Sequence, residues 1–155
     1  MIVAVTGATG HIGANLVRLL VHQGYTVRAL VRRNTSPLEG VECEHVIGDL
    51  LDEDSLKNAF AGASIIFHLG GIISLAGDPK GTVHNVNVNG TKNVTKAAIH
   101  AKADSIVLCS SIQAFSVQPN DDALLDEDHH LTLQHGDELV LVLTRGCRAV
   151  AMRVA

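Results

Sequence analysis

Three glycines stand at equal intervals near the start of the chain, between an apolar run and a helix-like segment. The run is Ile2–Val5, the segment is Ile12–Gln23, and the glycines are Gly7, Gly10 and Gly13. Glycine adopts the backbone angles of a sharp strand-to-helix turn at little cost. Such a turn collects backbone N–H groups at a helix N-terminus, which suits the diphosphate of a dinucleotide. The alternative is a glycine-rich turn that holds no ligand.

Strand-like and helix-like segments alternate up to Cys109. The later strand-like runs are Tyr25–Val31, Val41–Ile47, Ser64–Leu69 and Ser105–Cys109. The later helical segments are one that Asp54 or Ser55 can cap and that runs through Phe60, and one over Thr82–Lys102. This alternation predicts right-handed βαβ units, and hence a parallel sheet with helices on both faces. We therefore expect one doubly wound, three-layer α/β/α domain over residues 1–155.

The alternating pattern weakens after Ser111. Gln118–His130 is polar and acidic, which is typical of a solvated loop. Leu139–Leu143 suits a strand by its valines or a buried helix by its leucines, and periodicity does not decide between them. Arg148–Val154 has the pattern of a last strand.

Composition excludes several classes of function. The 155 residues carry a formal net charge of −4 and no basic block, so nucleic acid and anionic membranes are not expected partners. Three dispersed cysteines fit a reducing cytosol rather than a disulfide framework. No apolar run approaches the ~20 residues that span a bilayer. Met1 leads directly into a strand, so we expect a cytoplasmic protein without a signal peptide.

Two arginines follow the second predicted strand, at the position where dinucleotide-binding folds read the ribose. An acid there accepts a hydrogen bond from the 2′-hydroxyl and selects NAD, but this chain has Arg32 and Arg33. A guanidinium binds a 2′-phosphate through charge-assisted hydrogen bonds. The position therefore favours NADP, with NAD possible as well. The alternative is that both arginines are ordinary surface charges.

Asp49 and Leu50 follow the third predicted strand. The carboxylate of Asp49 can accept a hydrogen bond from an adenine amino group, and Leu50 can pack on the adenine ring. A turn-forming or capping role is the alternative for Asp49.

Five short motifs occur together in the order found in a known superfamily. They are Thr6-Gly-x-x-Gly-x-x-Gly13, Gly48-Asp49-Leu50, His68-Leu69-Gly70-Gly71, the run from Asn87 to Val94, and Cys109-Ser110-Ser111. Over about residues 1–115 the chain resembles the extended short-chain dehydrogenase/reductases, in particular the NAD-dependent epimerase/dehydratase family with its dihydroflavonol-reductase-like members. The resemblance implies a Rossmann-type sheet, a dinucleotide across its C-terminal edge, and hydride transfer at a carbonyl or alcohol carbon.

The resemblance also implies roles for single residues. Ser111 would hydrogen-bond the substrate oxygen and stabilise developing charge, Asn87 would lie near the active site, and the His68 side chain would be packed rather than catalytic. The cofactor-binding residues that the resemblance implies are Gly7, Gly10, Ile12, Gly13, Asp49, Leu50, Leu69, Gly70 and Gly71. With His11 of the glycine turn and the two arginines above, Arg32 and Arg33, they make up the predicted cofactor site.

The chain departs from the family pattern after Ser111. The family's acid/base is a tyrosine with a lysine four residues later, but this chain has only Tyr25 and no lysine after Lys102. By family comparison the interval after Ser111 is about a dozen residues short, and the family's substrate-binding portion is missing. His135 is the nearest replacement acid/base, without a visible partner. The nearby histidines match no standard zinc spacing, so no metal site is expected.

Three functions are open at this point. The first is an NADP-dependent reductase or epimerase-like enzyme acting on an unknown small molecule. The second is a dinucleotide-binding or regulatory module that has lost the chemistry, and the third is a fragment that folds without a ligand. By family comparison, the short interval after Ser111 shortens the fifth helix of the fold, and the sheet keeps an open edge. Both would leave apolar surface, so we expect a homodimer or a higher homo-oligomer.

Overall fold

The computed structural model describes residues 1–74 and 77–109, which contain a five-stranded parallel sheet. Its order is β3-β2-β1-β4-β5, so the chain builds one half outward from β1 and then crosses to the other side of β1. This order confirms the predicted doubly wound Rossmann-type sheet. The strands are β1 (Ile2–Thr6), β2 (Thr26–Val31), β3 (Glu44–Ile47), β4 (Ile65–His68) and β5 (Ser105–Leu108).

The strand register places the candidate site at one edge of the sheet. Thr6 of β1 pairs with His68 of β4, which pairs in turn with Leu108 of β5. The next residues along the chain, Gly7 and Leu69, therefore leave the sheet side by side. In open α/β sheets, ligands bind outside the carboxyl ends of the strands, where the strand order reverses. In this chain that point lies between β1 and β4.

The helices follow the predicted segments, with one interruption. The predicted helix over 82–102 is divided by a π-helical turn over Asn85–Asn89, and it ends at Lys102, whose φ of 57° lies in the left-handed region. A π turn inside an α-helix is uncommon and is frequently found at a functional site. The helices are α1 (His11–His22), α2 (Glu53–Phe60), α3 (Thr82–His84) and α4 (Gly90–Ala101).

The N-cap of α2 is not the one expected. The sequence suggested Asp54 or Ser55, but the cap is Asp52, whose carboxylate accepts hydrogen bonds from the N–H groups of both. The hydroxyl of Ser55 instead donates to backbone carbonyls and accepts from the N–H of Asp49 at 3.1 Å. The helix therefore begins two to three residues earlier than expected, and Ser55 ties it to the loop after β3.

The two faces of the sheet bury separate apolar clusters, because successive strand residues point to opposite faces. On β1, Ala4 belongs to one cluster, whereas Val3 and Val5 belong to the other. Helices α2 and α4 cover the first face, with the buried side chains Leu56, Phe60, Ile66, Val94 and Ile106. Helix α1 covers the second face, with Val17, Leu20, Val27, Val31 and Leu38. The described residues thus form the predicted three layers.

Several predicted features fall in parts of the chain that lie outside the described residues. They are Ser111, Gln118–His130, His135, Leu139–Leu143 and Arg148–Val154. Across residues 1–74 and 77–109, none of the helices has both the length and the apolar character needed to cross a membrane.

Candidate dinucleotide site

The glycine turn after β1 has a backbone that only glycine accommodates easily. Gly7 has a φ of +66°, and its carbonyl accepts a hydrogen bond from the N–H of Gly10 at 2.9 Å. A Cβ built on Gly7 would lie 2.5 Å from the carbonyl carbon of Leu69 and 2.6 Å from the nitrogen of Gly70. The segments after β1 and β4 are therefore in backbone contact, and a side chain on Gly7 would force them apart.

The N-terminus of α1 presents unpaired backbone donors. Its N-cap, Gly10, contributes no side-chain hydrogen bond, and no acidic residue stands in the first turn. Among the described residues, the N–H groups of His11, Ile12 and Gly13 have no acceptor, whereas that of Ala14 donates to the Gly10 carbonyl. These donors and the helix dipole favour an anionic group at this position.

Gly13 allows α1 to start so close to β1. A Cβ on Gly13 would overlap the Gly7 carbonyl oxygen and would lie 2.8 Å from the Gly7 carbonyl carbon. Gly13 itself is buried, while His11 and Ile12 are exposed beside it. Each of the three glycines therefore has a different structural role: Gly7 makes the left-handed turn, Gly10 is the N-cap of α1, and Gly13 allows close packing.

Arg32 and Arg33 follow β2 at the same edge of the sheet, and both are exposed. Within the described part of the chain, neither guanidinium makes a hydrogen bond or an ion pair. By contrast, Arg28 on the same strand is engaged by Glu44 and by two carbonyls at the end of α2. The two arginines are thus available to an anionic ligand, and a surface-charge role is equally consistent with these contacts.

Asp49 and Leu50 follow β3, and both are partly buried. One carboxylate oxygen of Asp49 accepts from the N–H of Leu51 at 3.0 Å, so the side chain does support the turn. Leu50 fills the space left by two glycines, because a Cβ on Gly70 or Gly90 would lie 3.1 or 2.9 Å from its side chain. Contact of either residue with adenine stays a prediction.

Asn87 is 9% exposed and lies in the π turn, where its amide is already engaged. Its Oδ1 accepts from the N–H of Ile72 at 2.8 Å, and its Nδ2 donates to the Ile72 carbonyl at 2.9 Å. A Cβ on Gly71 would lie 3.3 Å from the same Oδ1. Asn87 therefore holds the segment after β4 in place, and its predicted catalytic role is not tested by these contacts.

His68 is buried where β4 ends, as expected for a packed side chain. Its Nδ1 lies 2.6 Å from Oγ1 of Thr6, and its Nε2 lies 3.0 Å from Oγ1 of Thr91. Burial lowers the pKa of His68 to about 4, so the ring is neutral at pH 7. Sequence reasoning missed both threonines. The only signal was their position, directly before Gly7 and four residues after Asn87.

The other predicted site residues lie around this edge. Leu69 and Gly70 are partly buried and Gly71 is exposed. Ser111 lies two positions beyond Cys109, the last described residue, whose N–H continues the sheet by donating to the His68 carbonyl at 3.1 Å. Within residues 1–74 and 77–109, no cluster of histidine, cysteine and carboxylate side chains could hold a metal ion.

The sheet order, the glycine turn and the unpaired donors of α1 define a Rossmann-type domain of the short-chain dehydrogenase/reductase class. A family model described as the 3-beta hydroxysteroid dehydrogenase/isomerase family matches residues 4–142. The chain belongs to this family, which lies within the extended branch of the superfamily.

Individual relatives agree with this assignment. The chain is 37% identical to sterol demethylase protein B of Methylococcus capsulatus over 77% of its own length and 37% of that protein. It is 40% identical to a putative dihydroflavonol 4-reductase of Synechocystis over 74% of its length and 34% of that protein. The chain thus spans little more than a third of these relatives.

A solved structure shows the same arrangement. A short-chain dehydrogenase/reductase superfamily protein from Agrobacterium tumefaciens, crystallised with bound NAD, superposes with a TM-score of 0.74 at 32% identity. The match covers 88% of this chain and 40% of that protein.

Proposed function

We propose that this chain binds a nicotinamide dinucleotide, with the diphosphate on the turn from Gly7 to Gly13. The observation that carries the proposal is the set of N–H groups of His11, Ile12 and Gly13 at the start of α1, which have no acceptor among the described residues. Helix α1 begins directly after the turn that follows β1, beside the point where the strand order reverses between β1 and β4. A relative of 32% identity that holds NAD supports the same ligand class.

We propose further that NADP is preferred over NAD. The support is the pair of exposed guanidinium groups of Arg32 and Arg33 directly after β2, where no acid is present in the sequence. Neither group has a partner in the part of the chain that the structure describes. A 2′-phosphate has the charge and geometry that a guanidinium binds well. NAD lacks that phosphate and would gain nothing from either arginine.

The reaction class that we propose is reduction of a carbonyl, or oxidation of the corresponding alcohol, by hydride transfer. The nicotinamide ring of the bound cofactor supplies or accepts the hydride. Asn87 positions the segment after β4, and Ser111 is the proposed hydrogen-bond donor to the substrate oxygen. Relatives named as reductases support this class, although the chain spans only 34% of the dihydroflavonol reductase-like relative.

A second candidate is a dinucleotide-binding module that does not transfer hydride. Tyr25, the chain's single tyrosine, lies directly before β2 and packs against the cluster beneath α1. It is therefore at the amino end of the strands, opposite the cofactor edge, and it does not replace the family's catalytic tyrosine. In this case the function would be sensing or a protein interaction controlled by the dinucleotide.

We also propose that residues 1–155 form one domain and that two or more copies of the chain associate with each other. Ile99 on α4 is 71% exposed, and an apolar side chain of this size gains free energy when a partner covers it. Sedimentation of the 155-residue chain tests this proposal, because a monomer at high concentration would contradict it.

The deciding experiment is a calorimetric titration of the folded chain with NADPH and with NADH, followed by turnover assays on ketones and sugar nucleotides. Saturable binding supports the dinucleotide proposal, and stronger binding of NADPH supports the NADP preference. Turnover that Ser111→Ala abolishes would establish the enzyme and exclude the second candidate. Failure of a folded sample to bind either nucleotide would refute both candidates.

A further inference from the structure

Three segments at the cofactor edge are joined through one buried imidazole. Thr6 ends β1 directly before Gly7, His68 ends β4, and Thr91 lies in the first turn of α4. His68 contacts the hydroxyl of each threonine, and Thr6 also accepts a hydrogen bond from the N–H of Gly70 at 3.2 Å. For each of these contacts, the neighbouring hydrogen bonds determine which atom donates the proton and which accepts it.

Thr91 determines the assignment. A hydroxyl has a single proton, and Thr91 donates its proton to the carbonyl of Asn87. Towards His68 the Thr91 oxygen can only accept, so Nε2 carries the ring proton. A neutral imidazole has one N–H group, so Nδ1 is an acceptor and takes the hydroxyl proton of Thr6. The low pKa of this buried ring agrees with the neutral form.

The Thr6 oxygen is then oriented by this donation. With its proton directed at His68, its lone pairs are available to the N–H of Gly70. Hydrogen bonds therefore run in one direction, from Gly70 through Thr6, His68 and Thr91 to the Asn87 carbonyl. The reverse direction would leave the Asn87 carbonyl without the Thr91 proton, and the Thr6 hydroxyl proton without its acceptor on His68.

We propose that His68, held as the Nε2–H tautomer, is a positioning residue for the dinucleotide, because it orients the Thr6 hydroxyl that fixes Gly70 against Gly7. This inference rests on the proposed dinucleotide binding. Gly7 and Gly70 are in backbone contact at the point where the cofactor would cross the sheet. Loss of the Thr6 acceptor would release the Gly70 N–H and widen this contact without removing any group that touches the ligand directly.

The first test reads the tautomer in the protein without ligand. In ¹⁵N NMR spectra of histidine-labelled protein at pH 7, we expect His68 to show a protonated Nε2 and an unprotonated Nδ1. We also expect the Gly70 amide to be protected from solvent exchange. An Nδ1–H tautomer, or a Gly70 amide that exchanges as freely as a surface loop, would overturn the proposal.

The second test uses threonine variants in dinucleotide titrations at pH 7. Thr6→Val keeps the shape and removes the hydroxyl, so we expect about tenfold weaker binding, the size of one neutral hydrogen bond. Thr6→Ser restores the hydroxyl, and we expect binding near that of the wild type. Thr26→Val, an exposed position at the start of β2, is the matched control and should leave binding unchanged.

The outcomes separate this inference from the proposed function. If the wild type binds neither NADPH nor NADH, the dinucleotide proposal fails, and the positioning role falls with it. If the wild type binds and Thr6→Val binds equally well, only the positioning role fails. If Thr6→Val does not fold, the tautomer and the Gly70 exchange rate in the wild type still decide the proposal.

Discussion

The side-chain amide of Asn87 pairs with both backbone groups of Ile72, through hydrogen bonds of 2.8 and 2.9 Å. The two residues are fifteen positions apart, and the pairing fastens the segment after β4 to the π turn. A buried amide with both groups satisfied is costly to disturb, because its backbone partners would lose theirs as well.

We therefore expect Asn87→Asp to lower the free energy of unfolding by about 1–3 kcal/mol. The carboxylate keeps an acceptor for the Ile72 N–H but places a second acceptor against the Ile72 carbonyl. Urea denaturation measures the effect, and faster exchange of the Ile72 amide would locate it. Asn85→Ala is the control, because Asn85 shares only an exposed hydrogen bond with Asn89 in the same turn. Equal stability of the two variants would contradict the assigned role of Asn87.

The cap of α2 gives a second prediction. Asp52→Ala removes the acceptor for two backbone N–H groups, so we expect a loss of about 1 kcal/mol in the free energy of unfolding. Asp54→Ala is the matched control. Its carboxylate is exposed and, within residues 1–74 and 77–109, pairs only with Lys57, so thermal denaturation should show little change. A larger effect at Asp54 than at Asp52 would favour the cap that the sequence suggested.

The secondary structure and the cap of α2 show what the sequence could and could not predict. The alternation of apolar runs and the glycines that end them predicted the strands, the helices and the parallel sheet. This works because elements that pack in a core place their apolar residues at regular spacings along the chain. The cap of α2 was misplaced because Asp52, Asp54 and Ser55 all have cap-forming side chains, and only the backbone angles choose among them.

The candidate site likewise has some features that the sequence predicted and others that it did not. The glycine turn was predictable because the positive φ of Gly7 and the close approach of Gly13 to Gly7 arise within a few residues of each other. The contacts of Asn87 with Ile72 and of His68 with Thr6 were not, because hydrogen bonds between distant segments have no periodicity. The π turn was not predicted either: the asparagines and valines of residues 85–89 are weak helix formers, but weak propensity does not specify a π turn.

Acid should destabilise the fold through His68. Its pKa is about 4 in the folded chain, against about 6.5 for an ordinary histidine, so the unfolded chain takes up a proton first as pH falls. The stability that the neutral ring contributes is complete above pH 6.5 and is lost progressively between pH 6.5 and 4. The shift corresponds to roughly 3 kcal/mol.

Urea denaturation at several pH values between 4.5 and 7.5 measures this loss against His68→Asn. Asparagine keeps a polar group near the Nδ1 position but does not titrate. We expect the wild type to lose more stability than the variant as the pH falls, whatever the variant's stability at pH 7. Parallel pH dependences would show that His68 is not the group responsible.

Gly7 and Gly24 form a matched pair for testing the glycine turn. Both have a positive φ, of +66° and +81°, but a Cβ on Gly24 would meet no atom within 4 Å. Alanine at either position bears the left-handed backbone cost of about 1 kcal/mol. Only Gly7→Ala would in addition push Leu69 and Gly70 away from β1, so we expect it to abolish dinucleotide binding while Gly24→Ala binds normally. Calorimetry on both folded variants decides, and retained binding in Gly7→Ala would argue against the proposed site.

Arg32 and Arg33 should determine which dinucleotide is preferred. If a guanidinium binds the 2′-phosphate, Arg32→Ala should weaken NADPH binding about tenfold, which is near the value of one charge-assisted hydrogen bond, and should leave NADH binding almost unchanged. Higher salt should likewise weaken NADPH more than NADH in the wild type, because exposed charges are screened. Arg33→Ala, measured in parallel, shows which of the two arginines makes the contact.

The control for the arginine variants is Lys57→Ala, which removes an exposed cation on α2 whose one ion pair among the described residues is with Asp54. Any general effect of net charge on an anionic ligand would appear in this variant as well, since both changes remove one positive charge. A specific contact predicts that the ratio of NADPH to NADH affinity falls in an arginine variant and stays constant in Lys57→Ala. If the ratio is the same in all variants and the wild type, both arginines are surface charges, and the preference for NADP has no basis at this position.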